Sequence, residues 1–363
     1  MSEACFAMVA AGGTGGHLYP ALALAEALVT RGHPRSAIRF VGARGRLEAH
    51  VVPDAGYTVD LLPGRGLERR VTLANLAALA EAAVAFFRAI GLVRRYRPEV
   101  VVGFGSYAAL PTVVAARLWR RPTVVHDRDA VPGLANRIGV GLGARAATSL
   151  AETRLRGATV VGNPVRAELT ELDRHPSDPP LVFCSGGSQG SATINRAVID
   201  LYDRWRDRTD VAVRHVSGPA HYDACARELT ELRRPGDRLC YDLVGYDDNV
   251  AASLALASVA VGRAGAGTVA ELTVAGVPAV LVPLPGAPGD HQTANANALA
   301  EHGAARVVPD AECDAARLDS ELSALVFDRA RLDAMGRRAR DLGRPDAADR
   351  LADLVEEVAA GGH

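Results

Sequence analysis

Residues 11 to 22 read Ala-Gly-Gly-Thr-Gly-Gly-His-Leu-Tyr-Pro-Ala-Leu, after the apolar run Cys5 to Ala10 and ahead of a helical pattern. Strand, glycine turn and helix in that order constrain the fold more than any other stretch, because together they open an α/β unit with a parallel sheet. Such folds bind ligands at the ends of their strands. Glycines let the backbone approach an anionic group closely, and the N–H groups at the helix start offer it partial positive charge. His17 is thereby delivered beside whatever is held there. By itself the turn stays open to several readings: NAD enzymes, kinases and sugar-nucleotide enzymes all use glycine-rich strand-to-helix turns, and some are only tight corners. A P-loop is the exception, since its glycines run into Lys-Ser/Thr and these run into His-Leu.

A second opening of the same kind begins the other half of the chain, Leu181-Val-Phe-Cys-Ser-Gly-Gly-Ser-Gln-Gly-Ser-Ala-Thr-Ile-Asn195. Strand-like runs recur at Ile38-Val41, Val100-Phe104, Thr123-His126 and Thr159-Val161, then at Val211-Val216, Val259-Val261 and Ala279-Val282. Helical patterns lie between them, so each half reads as alternating β and α elements around a mostly buried parallel sheet. A length of 363 residues suits roughly two domains. The expected fold class is α/β, with two Rossmann-like doubly wound domains facing a cleft. Residues 1–162 form the first domain and 163–345 the second, joined near Gly162-Asn163-Pro164. A terminal amphipathic helix over 346–363 is expected to pack back on the first.

Composition narrows the chemistry. All 41 basic residues are arginine, which removes lysine Schiff bases, PLP chemistry and the P-loop lysine. A net charge of −1 argues against nucleic acid as a partner and leaves attraction of anions to local patches. The five cysteines never occur as CxxC and suit reduced thiols. No uncharged apolar run is long enough to span a bilayer, and no basic leader precedes an apolar stretch, so a cytoplasmic location is expected. Residues 61 to 98 hold Arg65, Arg69, Arg70, Arg88, Arg94, Arg95 and Arg97 against Glu68 and Glu81, around a long apolar stretch with Phe86, Phe87, Ile90 and Leu92. An anionic membrane surface would suit such a segment; so would an ordinary place against the sheet.

Three further motifs carry chemistry. Gly186-Gly-Ser-Gln-Gly190 ends a strand and opens a helix, so Ser188, Gln189 and backbone N–H groups can receive a phosphate, or the motif is only a turn. Gly262-Arg-Ala-Gly-Ala-Gly-Thr-Val-Ala-Glu271 does the same after Val259-Val261. Glu271 then either compensates the helix dipole or accepts from two sugar hydroxyls. Asp290-His-Gln-Thr-Ala-Asn-Ala-Asn297 enters a helix with more amides than a cap requires, which suits a hydroxyl-rich ligand.

Taken in order, Gly-Gly-Thr-Gly-Gly-His17, Gly-x-Gly-Ser-Tyr107, Gly-Asn-Pro-Val-Arg166, Gly-Gly-Ser-Gln-Gly190, Ala-Gly-x-x-Thr-Val-x-Glu271 and Asp-His-Gln292-Thr-x-Asn295 resemble the MurG-type glycosyltransferases from about residue 6 to 355. The resemblance implies the two-domain glycosyltransferase type B fold and inverting transfer of N-acetylglucosamine from UDP-N-acetylglucosamine to undecaprenyl-diphospho-muramoyl-pentapeptide. The enzymes of this family work at the inner face of the cytoplasmic membrane, in peptidoglycan synthesis. An alternative is a MurG-like enzyme with a different prenyl-phosphate or secondary-metabolite acceptor. The donor is expected on the second domain: Glu271 on the ribose, Ser188, Gln189, Thr268 and Arg166 near the diphosphate, Gln292 and Asn295 on the sugar, Tyr246 at the uracil, and Ala266, Gly267, Val269 and Ala270 along the helix start. Thr14, Gly15 and Gly16 are counted with the donor, although their loop and that of Tyr107 are also expected to hold the lipid diphosphate and muramoyl group. Partners implied are the UDP-sugar, the lipid-linked acceptor, the membrane surface and other cell-wall synthesis proteins.

The resemblance implies helix N-termini, Arg166 and hydroxyl donors meeting the leaving-group charge. No Asp-x-Asp stands near the donor motifs, so no metal and no cofactor are expected. His17 is the expected base because histidine titrates near neutrality; its competing role is to orient the diphosphate. One stretch departs from the family. His126-Asp-Arg-Asp129 stands where the family has His-Glu-Gln-Asn, ahead of Val-Pro-Gly-Leu-Ala-Asn136. Asp129 thus puts a carboxylate at an acceptor-side position, unfavourable beside a diphosphate unless Arg128 compensates it, and a second candidate base.

Overall fold

The computed structural model of the chain describes residues 5–13, 15–63, 73–106 and 108–361, with 73–79 described by backbone alone. Thr14 and Tyr107 lie outside those residues, as do Arg65, Arg69 and Arg70 of the basic segment. Two compact units emerge, one made of residues up to Arg166 together with Asp346 onward, the other of Ala167–Pro345.

The first unit holds a fully parallel sheet of β1 (Ala7–Ala10), β2 (Ile38–Ala43), β3 (Thr58–Leu62), β4 (Val100–Gly103), β5 (Thr123–Asp127), β6 (Arg145–Thr148) and β7 (Thr159–Val160), in the order β3-β2-β1-β4-β5-β6-β7. The central strands β1 and β4 are buried at every position, which is why they read as unbroken apolar runs. β3 and β6 escape the apolar-run reading for local reasons: Thr58-Val-Asp-Leu-Leu is only partly buried beside β2, and Arg145-Ala-Ala-Thr is alanine-rich and poor in strand formers. The helix Gly15–Thr30 buries Leu18, Ala21, Leu24, Ala25 and Leu28. Leu351, Ala352, Leu354, Val355 and Val358 of the last helix, Ala347–Ala359, join the same core cluster. Arg31 fastens that helix through Asp353 at 2.5 Å and Glu356 at 3.0 Å.

In the second unit the parallel sheet comprises β8 (Leu181–Ser185), β9 (Ala212–Val216), β10 (Cys240–Val244), β11 (Ala257–Gly262), β12 (Ala279–Leu281) and β13 (Ala305–Val307), ordered β10-β9-β8-β11-β12-β13. β10 and β13 are edge strands with mixed polar residues and are legible only by their pairing to β9 and β12. Each sheet reverses its strand order once, between β1 and β4 in the first unit and between β8 and β11 in the second. At such a switch point the neighbouring connections leave to opposite faces and open a crevice at the strand ends. The glycine turns stand there in both units.

Candidate active site

In the first unit the turn after β1 leads into the helix that begins at Gly15, and Gly13 takes φ 91°, a conformation that favours glycine. His17 stands half-buried in the first turn of that helix. The end of β5 meets this turn. Arg128 lies so close to Gly16 that a Cβ there would overlap its Nη1, and its Nε pairs with Asp129 Oδ2 at 3.3 Å. The charge compensation that Asp129 requires is therefore made by its own neighbour, beside Gly16 at the start of the helix that carries His17. Arg166 stacks its guanidinium 5.4 Å from the Tyr19 ring centroid, on the helix that carries His17. It belongs to the first unit, although the resemblance groups it with the donor residues.

The loop behind Asp129 is held by groups that the motifs do not single out. Asp127 accepts from Asn136 Nδ2 at 2.9 Å and from Gly133 N–H at 2.8 Å. Burial raises its carboxyl pKa above the usual range despite those bonds. His126 is enclosed, with Nε2 2.9 Å from the Gly162 carbonyl oxygen, and burial pushes its pKa down to about 4. It is thus a neutral imidazole whose Nε2–H donates to Gly162, tying β5 to the segment that ends in Arg166. Beyond the end of β4, Gly105 takes φ 74° and would crowd Asn136 with any side chain, so the turn after β4 packs on the helix Leu134–Gly141 that follows β5.

In the second unit Ser185 and Gly262 are register partners, so the turns after β8 and β11 leave the sheet side by side. Ser188 and Gln189 are exposed on the first of them. Gly190 and Gly218 fit backbone to backbone, leaving no room for a Cβ on either, and Ser191 caps the helix Ala192–Trp205 by accepting from Ile194 N–H at 3.3 Å. Under this turn a buried chain of hydrogen bonds runs from Tyr241 Oη to His215 Nδ1 at 2.8 Å and from His215 Nε2 to Asn195 Oδ1 at 3.0 Å. It ends with Asn195 Nδ2 donating to the Ser217 carbonyl at 2.9 Å. Burial lowers the His215 pKa to about 4 as well.

After β11, Arg263 turns inward. Its Nη1 donates to the carbonyls of Val282 and Pro283, both at 3.1 Å, and to Asp310 Oδ1 at 2.5 Å. Gly265 then opens the helix Ala266–Ala275, where Ala266 and Val269 are buried while Gly267, Thr268, Ala270 and Glu271 are half-buried. Ala266 and Val269 can therefore serve a ligand only through their backbone. Gln292 Oε1 accepts from Leu284 N–H at 3.0 Å and shapes the loop ahead of its own helix, His291–Glu301. Asn295 is 0 % exposed and its Nδ2 donates to the Ala264 carbonyl at 3.1 Å, which braces the turn before Ala266. Tyr246 is 50 % exposed on the loop leaving β10.

Arg263, His215 and Asn136 support these turns, and motif reading leaves them without a role because it does not show their partners.

The two units correspond to two family domains. Residues 7–148 match the glycosyltransferase family 28 N-terminal domain and residues 181–351 its C-terminal domain. A UDP-N-acetylglucosamine--N-acetylmuramyl-(pentapeptide) pyrophosphoryl-undecaprenol N-acetylglucosamine transferase from Alkalilimnicola ehrlichii is 42 % identical, covering 97 % of this chain and 98 % of its own. One of the same name from Desulforudis audaxviator is 36 % identical over 98 % of this chain and 99 % of its own. Among solved structures, Acinetobacter baumannii MurG superposes with a TM-score of 0.80 at 26 % identity, covering 97 % of this chain and 99 % of that one. The kitacinnamycin glycosyltransferase reaches 0.70 at 19 % identity, over 98 % and 99 % of the two chains, which is likeness of fold alone. Paired switch-point turns and full-length similarity lead to one conclusion: the chain belongs to the MurG-type branch of glycosyltransferase family 28.

Proposed function

We propose that this protein transfers N-acetylglucosamine from UDP-N-acetylglucosamine to undecaprenyl-diphospho-N-acetylmuramoyl-pentapeptide, with inversion at the anomeric carbon. The observation that carries the reading is the pair of switch-point turns, one opening on His17 with Arg128 and Asp129, the other setting Ser188 and Gln189 beside the helix of Thr268 and Glu271. In the reaction an acceptor hydroxyl oxygen attacks the anomeric carbon, the bond from that carbon to the diphosphate oxygen breaks, and UDP leaves with the electron pair. The hydroxyl proton goes to His17. Asp129, paired with Arg128, is the second candidate base, and the Arg128 guanidinium stands beside the first turn, where the lipid diphosphate would bind. Gly15 and Gly16 offer this diphosphate backbone N–H groups at the helix start, with Thr14 and Tyr107 as the remaining family contacts.

On the donor, Glu271 takes the ribose hydroxyls, Ser188, Gln189, Thr268 and the N–H groups from Ala266 to Ala270 meet the diphosphate, Gln292 takes the sugar and Tyr246 flanks the uracil. The family resemblance adds Arg166 to the diphosphate contacts. Preorganised donors of this kind contribute a few kcal/mol each as charge develops on the leaving group. The lipid tail implies a membrane surface. The exposed apolar side chains of the helix Leu73–Tyr96 and its neighbour Ala109–Leu118 suit that contact, with Arg88, Arg94 and Arg95 available to anionic headgroups. No helix among the described residues is long and apolar enough to cross a membrane.

Incubation with labelled UDP-N-acetylglucosamine and the lipid-linked muramoyl-pentapeptide tests the reading, with the lipid-linked disaccharide as the expected product. Intact UDP-sugar binding without that product would overturn the acceptor assignment. It would favour a MurG-like enzyme for another prenyl-phosphate or natural-product acceptor, the alternative that Asp129 keeps in view.

A further inference from the structure

Glu48 begins the short helix Glu48–Asp54 beyond β2, and its side chain is completely enclosed. Its two carboxylate oxygens accept from Gly13 N–H at 3.2 and 3.1 Å, and Oε1 also accepts from Ala43 N–H at 2.7 Å. Two glycines make room for it. A Cβ on Gly12 would overlap Oε1, and one on Gly42 would overlap Cγ. Among the described residues its partners are backbone N–H groups and not a cation. Enclosing a carboxylate is unfavourable unless its charge is met, and N–H groups directed at both oxygens meet it with the stronger, charge-assisted kind of hydrogen bond.

An apolar side chain of the same size would fill this space at smaller cost in desolvation. What the carboxylate adds is a link from the end of β2, at Ala43, to Gly13, two residues ahead of the helix that presents His17. We infer that Glu48 is the positioning residue of the first glycine turn, setting where the His17 helix begins. The inference rests on the acceptor-side reading of that turn given above.

The test uses the full-length protein and two independent variants. Glu48→Gln keeps the size but turns an amide NH2 toward backbone N–H donors. Gly42→Ala leaves the carboxylate intact and displaces it from β2, without touching the glycine turn. For each, kcat for transfer falls roughly 10- to 100-fold, the loss that follows a misplacement of about 1 Å at a reacting group. KM for UDP-N-acetylglucosamine stays within about two-fold, since the proposed donor contacts lie mainly on the other unit. The double variant costs little more than the worse single one, because both act through one contact. Amide hydrogen exchange at Gly13 and Ala43 quickens in both, a readout that needs no acceptor. If the wild type makes no disaccharide, the functional reading has failed and exchange alone judges Glu48. Unchanged exchange at Gly13 in folded Glu48→Gln, or a rise in donor KM equal to the loss in kcat, overturns the inference.

Discussion

Asn295 and Gln292 sit on one helix and look alike in the sequence, yet the first is enclosed and bonded to Ala264 while the second shapes an open loop. Burial separates them, and burial is decided by which way each side chain turns from its helix. The same distinction divides Glu271, half-buried on the first turns of its helix, from Arg263, which turns inward to the ends of β12 and β13. Two substitutions separate the halves of the chemistry. Glu271→Ala should weaken UDP-N-acetylglucosamine binding by about 10- to 100-fold, the loss of a charged acceptor at about 1.5 to 3 kcal/mol, measured by titration calorimetry. His17→Ala should leave that affinity intact and lower single-turnover transfer by about 10²- to 10⁴-fold, the usual worth of a positioned base. Transfer within a few-fold of wild type in His17→Ala would remove the base from the mechanism.

Among the elements, the helix Leu73–Tyr96 divides into two faces. One face is an ordinary packing face, with Ala85, Ala89 and Val93 buried; the other leaves Val84 and Phe87 exposed, Phe87 by 70 %. The adjoining helix adds Leu118 and, just beyond its end, Trp119, with the Arg94 guanidinium 5.9 Å from the Trp119 ring. Alanine on the buried face explains the close approach to the sheet, and nothing in that spacing foretells that Trp119, beyond the end of another helix, lies beside Arg94. Phe87→Ser and Trp119→Ser should each reduce partitioning onto anionic vesicles by about 10- to 100-fold, from about 1.5 to 3 kcal/mol of lost apolar burial, with the melting temperature unchanged. Cosedimentation with phosphatidylglycerol vesicles measures this. Binding that persists in the double variant would exclude this face as the contact.

For the whole molecule, two buried histidines give each unit a common response to acid. His126 in the first unit and His215 in the second have folded pKa values of about 4, lowered by burial. In the unfolded chain each titrates near its ordinary value, about 6.5. Between those values only the unfolded chain takes the proton, so stability is full above about pH 6.5 and is lost as pH falls, by about 1.4 kcal/mol per pH unit for each histidine. Urea unfolding at pH 7, 6 and 5 should show this slope in both units, and a flat profile over that range would mean that the histidines are not held neutral. The last helix belongs to the same scale. Its apolar face completes the core of the unit in which the chain begins, and Arg31 and His33 both bond Glu356, from opposite ends of the sequence.

By itself the sequence determined the α/β class, the two halves, the central strands and the placement of glycine turns at strand ends, because those depend on local pattern: apolar runs of strand length, helical periodicity and residues that permit unusual backbone. Family resemblance rested on the same turns. Only the tertiary structure decided which polar side chains are spent on holding a turn, as with Asn295, Arg263 and Glu48. It also decided that Arg128 would meet the charge of Asp129 beside Gly16, and that β3, β6, β10 and β13 would be strands. These outcomes depend on pairing, burial and hydrogen bonds between residues far apart in the chain, and no local pattern encodes them.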